Sequence, residues 1–411
     1  MNAQANILKA SRHISELAKE TPKPLPFKPI SADSHVSEPP NCYKDYIDPK
    51  YRERVPYLQI GPKGGAVYVI ENINEGKPYT VDVGHMSAAG LDAREIQAGV
   101  KTFADIHKGG YDGKARVADQ ERDGIGGEVI YPSLGMALCN HPDADFKHAC
   151  FMAYNRWLQE FQSVAPDRIF GLGQTAAVSV KQTVADLEQI REMGFCGAMF
   201  PGEPATGFEY DDPQFDPVWE AAVALQLPVA FHILTSRRET KIAAQALNIR
   251  GRSMAHFHHT LTRANQDVIS TFVWGGVFER FPGLRLVCAE ADAGWVPHFK
   301  YRLDHFYHRH RFHQKVEDMS RLPSEQVDDN VYFTFQDDLV ALNSLNMLNT
   351  RRLLWANDFP HSDSTWPWSQ QLLTHHTQHI TDEQRRRILR DNVIELFNLP
   401  VKASLADVEG A

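Results

Sequence analysis

A carboxylate and an imidazole stand two residues apart near the start of the chain, at Asp33 and His35. The segment from Pro29 to Ser37 is typical of a short buried strand, and residues two apart on a strand face the same side. We therefore expect the two side chains to point together and to form half of a site for a divalent metal ion. Taken alone, an Asp-x-His pair is more often a strand end closed by a polar turn, because short motifs match by chance.

Three later segments offer further side chains that bind metals. They are Phe231-His232-Ile233, Cys288-Ala289-Glu290 and Ala356-Asn357-Asp358-Phe359-Pro360-His361. Imidazole and carboxylate groups together are typical ligands of a divalent metal ion. The question that follows is which elements would bring these segments together.

Apolar runs at regular intervals predict those elements. Seven runs suited to buried parallel strands follow the first one, at residues 128–131, 169–172, 197–200, 229–232, 286–289, 331–334 and 353–356. Helical spacing separates them, as in the apolar positions from Phe146 to Phe161 and from Val180 to Ile190. Alternating strands and helices in this number predict an α/β fold, a (β/α)8 TIM barrel, with a closing helix from about Glu383 to Leu396.

Such a barrel carries its chemistry at the C-terminal ends of its strands. Asp33 and His35 would end the first strand, His232 the fifth, Glu290 the sixth and Asp358 the eighth. Ligand-type residues at four strand ends on one rim are an improbable accident. This placement predicts a metal site.

The barrel is predicted to span residues 29–400 as one elaborated domain, between an N-terminal arm and linker at 1–28 and a C-terminal tail at 401–411. Residues 38–115 form a long insertion after the first strand. Within it, residues 66–70 and 78–83 flank a turn and predict a β-hairpin. Because the insertion directly follows a ligand-bearing strand, we expect it to cover the rim and shape the substrate site.

Composition narrows the function classes. A hydrophobic content of 43% with 23% charged residues is typical of a globular protein with a large core. The net charge of −9 argues against nucleic acid as a partner. Five cysteines without Cys-x-x-Cys spacing favour a reducing cytoplasm, and no apolar run approaches the roughly 20 residues that span a bilayer. No glycine pattern indicates a nucleotide cofactor.

These motifs resemble the amidohydrolase superfamily, in the branch that includes aminocarboxymuconate semialdehyde decarboxylase and the hydroxybenzoate decarboxylases. The resemblance spans about residues 29–398. It rests on Asp33-Ser34-His35, Pro228-Val229-Ala230-Phe231-His232, Phe278-Glu279-Arg280-Phe281-Pro282, Glu290-Ala291-Asp292-Ala293-Gly294-Trp295 and Asn357-Asp358-Phe359-Pro360-His361.

The resemblance implies that Asp33, His35, His232 and Asp358 bind one divalent ion, zinc, manganese or iron. It implies hydrolysis or decarboxylation of a small organic substrate, a carboxylate or an aromatic compound. The family's decarboxylases usually carry a histidine at the end of the sixth strand, where this chain has Glu290. The fourth strand has no lysine, so the bridging lysine carbamate of some binuclear members is not expected.

Two residues keep alternatives open. Glu290 is predicted to take a proton from a metal-bound water or to bind the metal. The alternative is a purely structural role, as a buried carboxylate paired with an arginine. His361 fits a second metal ion, a substrate contact or a polar loop. A related group, resembling 2-aminoisobutyrate hydroxylase, holds two iron or manganese ions and performs oxygenation, and shares a glutamate after the sixth strand. A barrel serving only as a non-catalytic partner subunit is the last alternative.

Other residues receive weaker assignments. Arg237, His256 and His259, which follow the fifth strand, are substrate-binding candidates. The histidines between Val296 and Phe312 are interpreted as the solvated face of a helix. We expect a homo-oligomer or a hetero-oligomer of paralogous subunits.

Overall fold

The computed structural model describes residues 19, 24–74, 76–236 and 261–401. Three predicted substrate-binding residues, Arg237, His256 and His259, lie outside the described residues. So does most of the predicted arm at 1–28 and tail at 401–411.

In the part of the chain that the structure describes, eleven strands form two sheets. In chain order they are β1 (Ile30–His35), β2 (Tyr57–Ile60), β3 (Ala66–Asn74), β4 (Lys77–Asp82), β5 (Gly127–Tyr131), β6 (Ile169–Gln174), β7 (Gly197–Phe200), β8 (Val229–His232), β9 (Leu286–Ala289), β10 (Val331–Phe335) and β11 (Leu353–Trp355). The larger sheet runs in the order β1-β5-β6-β7-β8-β9-β10-β11, and its paired strands are parallel. These eight strands form the predicted (β/α)8 barrel.

The barrel closes between its first and last strands. Just beyond β11, the backbone N–H of Asp358 donates to the carbonyl oxygen of Asp33 at 3.0 Å. In return, the N–H of His35 donates to the carbonyl oxygen of Phe359 at 2.7 Å. Closure therefore occurs at the residues that were predicted to bind metal.

Helices follow the strands and cover the barrel. The described α-helices are α1 (Gly113–Asp123), α2 (Leu134–Leu138), α3 (Ala144–Ser163), α4 (Val180–Glu192), α5 (Asp216–Ala224), α6 (Thr262–Trp274), α7 (Val277–Arg280), α8 (Val296–Gln314), α9 (Pro323–Asn330), α10 (Leu339–Asn343), α11 (Ser369–His376), α12 (Asp382–Arg386) and α13 (Asn392–Phe397). The closing helix differs from its prediction, because a π-helical turn at Arg387–Asp391 separates α12 from α13. The exposed histidines of α8 lie on its solvated face, as the sequence indicated.

The insertion after β1 carries the smaller sheet. Strands β3 and β4 pair antiparallel, as the hairpin prediction required, and β2 adds a third strand on the other side of β3. The hydroxyl of buried Tyr68 on β3 donates to the carbonyl oxygen of Glu38 at 2.6 Å, three residues beyond His35. The N–H of Ala89 donates to the carbonyl oxygen of Pro360 at 3.1 Å. The N–H of Ser37, two residues beyond β1, donates to the carbonyl oxygen of Gly110 at 2.8 Å. The insertion is thus attached just beyond both barrel strands that close the sheet.

Candidate metal centre

Strand ends carry all the side chains of the centre. Asp33 and His35 belong to the last residues of β1, and His232 ends β8. Glu290 directly follows β9, and Asp358 lies three residues beyond β11. Glu290 and Asp358 have φ angles of 54° and 53°, in the left-handed region that non-glycine residues seldom occupy. Such strained residues concentrate at functional sites.

These side chains converge on His35. Its Nε2 lies 3.4 Å from Asp33 Oδ1, 3.4 Å from Asp358 Oδ1 and 3.6 Å from Glu290 Oε2. The Nε2 of His232 lies 3.1 Å from Glu290 Oε2 and 3.6 Å from Asp33 Oδ1. Ligands about 2.0–2.2 Å from one ion stand roughly 3.0–3.6 Å apart in tetrahedral or octahedral geometry. The observed separations therefore fit a shared cation.

Hydrogen bonds fix the tautomers of both imidazoles. His35 Nδ1 lies 2.9 Å from the carbonyl oxygen of Pro132, and His232 Nδ1 lies 3.0 Å from that of Ile233. A carbonyl only accepts, so a neutral ring at either position donates through Nδ1–H and keeps an unprotonated Nε2 toward the carboxylates. This is how a protein orients histidine ligands for a metal.

Buried ligand atoms are left without partners in this arrangement. Among the described residues, no hydrogen bond reaches Asp33 Oδ1, His35 Nε2, His232 Nε2 or either carboxylate oxygen of Asp358. An unsatisfied buried polar atom is costly, and several facing one another add electrostatic repulsion. A divalent cation would satisfy one of these atoms on each of the four residues, so the residues present fit a metal ion.

The structure arranges the predicted ligands as two overlapping groups. Asp33, His35 and His232 form one, and His35, Glu290, Asp358 and His361 form the other. Within each group, one ligand atom per residue lies within 4.8 Å of all the others. His35 belongs to both groups. His361, left open by the sequence, stands beside the other ligands, its ring stacked on that of His35 with centroids 3.9 Å apart.

Burial and neighbouring charges move the pKa values in opposite directions. Burial lowers the pKa of His361 to about 4. Burial, followed by the Glu290 carboxylate, raises the pKa of Asp358 well above its ordinary value. Burial also lowers the pKa of His232, but the carboxylates of Asp33 and Glu290 outweigh it and hold that pKa well above its ordinary value. Without a metal ion, a proton on His232 therefore balances the acidic cluster.

Two residues that the sequence analysis did not single out hold the ligands in place. Thr334 on β10 donates its hydroxyl to Asp33 Oδ2 at 3.2 Å and accepts the N–H of Glu290 at 2.7 Å. Its position at a strand end was a usable signal. Ser133, just before α2, has its hydroxyl 2.6 Å from the carbonyl oxygen of Val36 and 2.7 Å from His361 Nε2.

Ser133 determines which nitrogen of His361 faces the centre. Its single hydroxyl proton goes to the carbonyl of Val36, so its oxygen accepts the Nε2–H of His361. The Nδ1 of His361 is then unprotonated and faces Asp358 Oδ1 at 3.1 Å. Two acceptors at this distance require a proton or a cation between them.

Three aspartates stand at the same rim, close to other acidic groups. Asp292 follows β9, Asp337 follows β10 and Asp363 follows Asp358 in the loop after β11. Burial, then the neighbouring Asp363 and Asp338 carboxylates, raise the pKa of Asp337 to about 7. Burial and Glu290 raise the pKa of Asp363 to about 6. This side of the rim is therefore acidic above neutral pH.

Known proteins resemble the chain in both sequence and fold. The amidohydrolase family model matches residues 130–399, more than half of the chain. Gamma-resorcylate decarboxylase from a Polaromonas species is 22% identical over 262 residues, which cover 60% of this chain and 75% of that protein.

Solved structures have the same fold. An amidohydrolase from Mycobacterium avium subsp. paratuberculosis superposes with a TM-score of 0.71 at 21% identity, over 90% of this chain and 99% of the other. A 5-carboxyvanillate decarboxylase from Novosphingobium aromaticivorans, with manganese and 4-hydroxy-3-methoxy-5-nitrobenzoic acid bound, superposes with a TM-score of 0.62 at 16% identity. The superposition covers 91% of this chain and 96% of the other.

Among the described residues, no helix is both long and apolar enough to cross a membrane.

Proposed function

This chain belongs to the amidohydrolase family, and we propose that within it the chain is a metal-dependent decarboxylase of a small aromatic carboxylic acid. The chain is an enzyme, a carboxy-lyase or a hydrolase. Several of its relatives are decarboxylases of aromatic carboxylates, and they favour neither the dinuclear oxygenase nor the non-catalytic subunit.

One observation carries the proposal: the unsatisfied atoms of Asp33, His35, His232 and Asp358 at a single rim. We assign these four residues to one divalent ion. Carboxylate and imidazole ligands without a thiolate suit Mn²⁺, Fe²⁺ or Zn²⁺. We favour Mn²⁺, because decarboxylases with this fold bind manganese. A second ion at Glu290 and His361 is not needed for this reaction.

The bound ion would supply positive charge that holds the substrate's oxygens and stabilises the charge that develops on them. Decarboxylation breaks the bond between a ring carbon and the carboxylate carbon. A proton first adds to that ring carbon, and the bond then breaks, so that its electron pair returns to the ring as CO₂ leaves. We assign the delivery of this proton to Asp358 Oδ2, because that oxygen is buried and has no partner among the described residues.

Glu290 is the most exposed residue of the centre, with 16% of its side chain exposed. We propose that its carboxylate takes the proton of a substrate hydroxyl and so increases the electron density of the ring. The same position suits a second candidate function, hydrolysis, in which Glu290 would take a proton from water.

Product analysis separates these functions. Metal-free protein is loaded with Mn²⁺ and given two sets of compounds: hydroxybenzoates, including 2,6-dihydroxybenzoate and 5-carboxyvanillate, and aromatic lactones and amides. Release of CO₂ from a hydroxybenzoate, lost on chelation and restored by Mn²⁺, is the expected result. Hydrolysis of a lactone or amide without any CO₂ release would favour the second candidate.

We also propose that the protein is cytoplasmic and that it forms an oligomer. All five cysteines are free thiols in the structure, which supports a reducing cytoplasm. We propose a homo-oligomer, and light scattering of the purified protein tests it through the molecular mass.

A further inference from the structure

We infer that Arg116 is a positioning residue for the metal centre, which holds the backbone at His35 and beside Asp358 in the geometry that brings their side chains together. This inference rests on the proposed metal-dependent function. Arg116 lies on α1, and none of its side chain is exposed. The hydrogen bonds of its side chain go to three backbone oxygens and to Glu128, so we infer that it acts on the ligands mainly through the main chain.

The guanidinium donates to both strand ends that meet at the barrel's closure. Its Nη1 lies 2.7 Å from the carbonyl oxygen of His35, and its Nη2 lies 3.3 Å from that of Phe359. Phe359 directly follows Asp358. The rigid fork of one side chain thus spans the two chain segments that carry the ligands, and only arginine offers several donors in a fixed plane.

The insertion is joined to the same group. Nη1 also donates to the carbonyl oxygen of Gly109 at 3.2 Å, near the end of the insertion. A single guanidinium therefore connects the cover, the first strand and the loop after the last strand. A shift of any one of these three segments therefore changes its charge-assisted hydrogen bond to the guanidinium, and through the guanidinium it affects the other two.

Charge and packing keep the guanidinium in its place. Its Nε donates to Glu128 Oε2 at 2.5 Å, and both side chains are buried, so the pair compensates two charges. The guanidinium lies over the ring of Phe359, 4.7 Å from its centroid. The ring of Phe359 also packs against the rings of Trp366 and His107, whose centroids lie 5.1 and 5.4 Å from its own. The residue next to Asp358 is thereby fixed by both its carbonyl and its ring.

The test compares Arg116→Lys with Arg168→Lys. A lysine keeps the positive charge beside Glu128 but cannot reach several carbonyls in one plane. Arg168 is a matched control, because its side chain is only 8% exposed and donates to the carbonyl oxygen of Ile125 at 3.0 Å. It precedes β6, at the end of the barrel opposite the centre. The dissociation constant for Mn²⁺ and the melting temperature of the metal-free protein are measured for both variants.

We expect Arg116→Lys to weaken Mn²⁺ binding about 10- to 100-fold, the usual effect of losing a group that orients ligands. Saturating Mn²⁺ should restore much of its turnover. Arg168→Lys should bind Mn²⁺ as the wild type does, even if its melting temperature falls by the same amount. Equal Mn²⁺ affinities of the two variants would overturn the inference.

A second variant covers a failure of Arg116→Lys to fold. Arg116→Met combined with Glu128→Gln removes both charges together, which avoids an unpaired buried charge, and it eliminates the hydrogen bonds to His35 and Phe359. It should weaken Mn²⁺ binding to a similar degree, and unchanged affinity would again overturn the inference. A wild-type protein that binds no Mn²⁺ would instead contradict the proposed function itself.

Discussion

The backbone N–H of Asp358 donates to the backbone oxygen of Asp33, 3.0 Å away. These two residues are separated by almost the whole barrel in sequence, and both carry acidic side chains without a partner for at least one oxygen among the described residues. The bond that closes the barrel therefore also brings two acids together. Closure has an electrostatic cost that a cation would offset.

Asp33→Asn tests the ligand role of this acid. The amide has the shape of the carboxylate but no charge, so we expect Mn²⁺ affinity to fall by more than the roughly 10- to 100-fold typical of groups that only orient ligands. Metal content after dialysis gives the measurement. Asp186→Asn is the control, because Asp186 is equally buried but pairs with His148 on the outside of the barrel. Loss of metal from both variants would point to general destabilisation.

Glu290→Gln separates proton transfer from metal binding. If Glu290 moves protons, the variant should retain about one ion per chain and lose roughly 10²- to 10⁴-fold in turnover. Metal analysis and turnover are measured on the same preparation. A fall from two ions to one, in Glu290→Gln and also in His361→Ala, would show instead that these residues hold a second metal.

The acidic rim predicts a pH dependence of substrate affinity. The pKa of Asp337 is raised to about 7 and that of Asp363 to about 6, so both groups are mostly neutral below these values and charged above them. An anionic aromatic carboxylate is repelled only by the charged forms. KM measured at saturating Mn²⁺ should therefore increase as the pH rises through this range.

Asp337→Asn should reduce that increase. Asp382→Asn is the control, because this side chain is 92% exposed and lies on α12. A KM that decreases with rising pH would contradict an anionic substrate.

Tyr68→Phe tests whether the insertion shapes the substrate site. The change removes only the hydroxyl that donates to Glu38 near the rim. We expect kcat/KM to fall about 5- to 10-fold with unchanged metal content, as for the loss of one buried hydrogen bond of about 1 to 1.5 kcal/mol. Tyr57→Phe serves as the control, since that hydroxyl donates to exposed Glu71 in the same small sheet. Equal effects of the two variants would leave the insertion without a role in catalysis.

The sequence revealed the barrel and the position of the centre because both depend on local patterns. Apolar runs mark strands, and the residue that ends a strand lies on the rim by geometry alone. The same logic would have found Thr334. Strand β2 was not recognised, because its residues are mostly exposed and lack alternation.

The supporting contacts depend on tertiary structure and have no local signature. Arg116 reaches Phe359, and Ser133 reaches His361, across more than two hundred residues of sequence. The amino-acid sequence around Arg116 does not distinguish it from a solvent-exposed arginine on a helix. The grouping of His35 with Glu290, Asp358 and His361 likewise depends on how three strand ends come together in the fold.

Anomalous diffraction from crystals of the Mn²⁺-loaded protein, collected at the manganese edge, tests the central claim most directly. We predict one strong peak per chain, about 2.0 to 2.4 Å from ligand atoms of Asp33, His35, His232 and Asp358. A protein that binds no ion at these residues in saturating Mn²⁺, or a peak bound elsewhere in the barrel, would contradict the account.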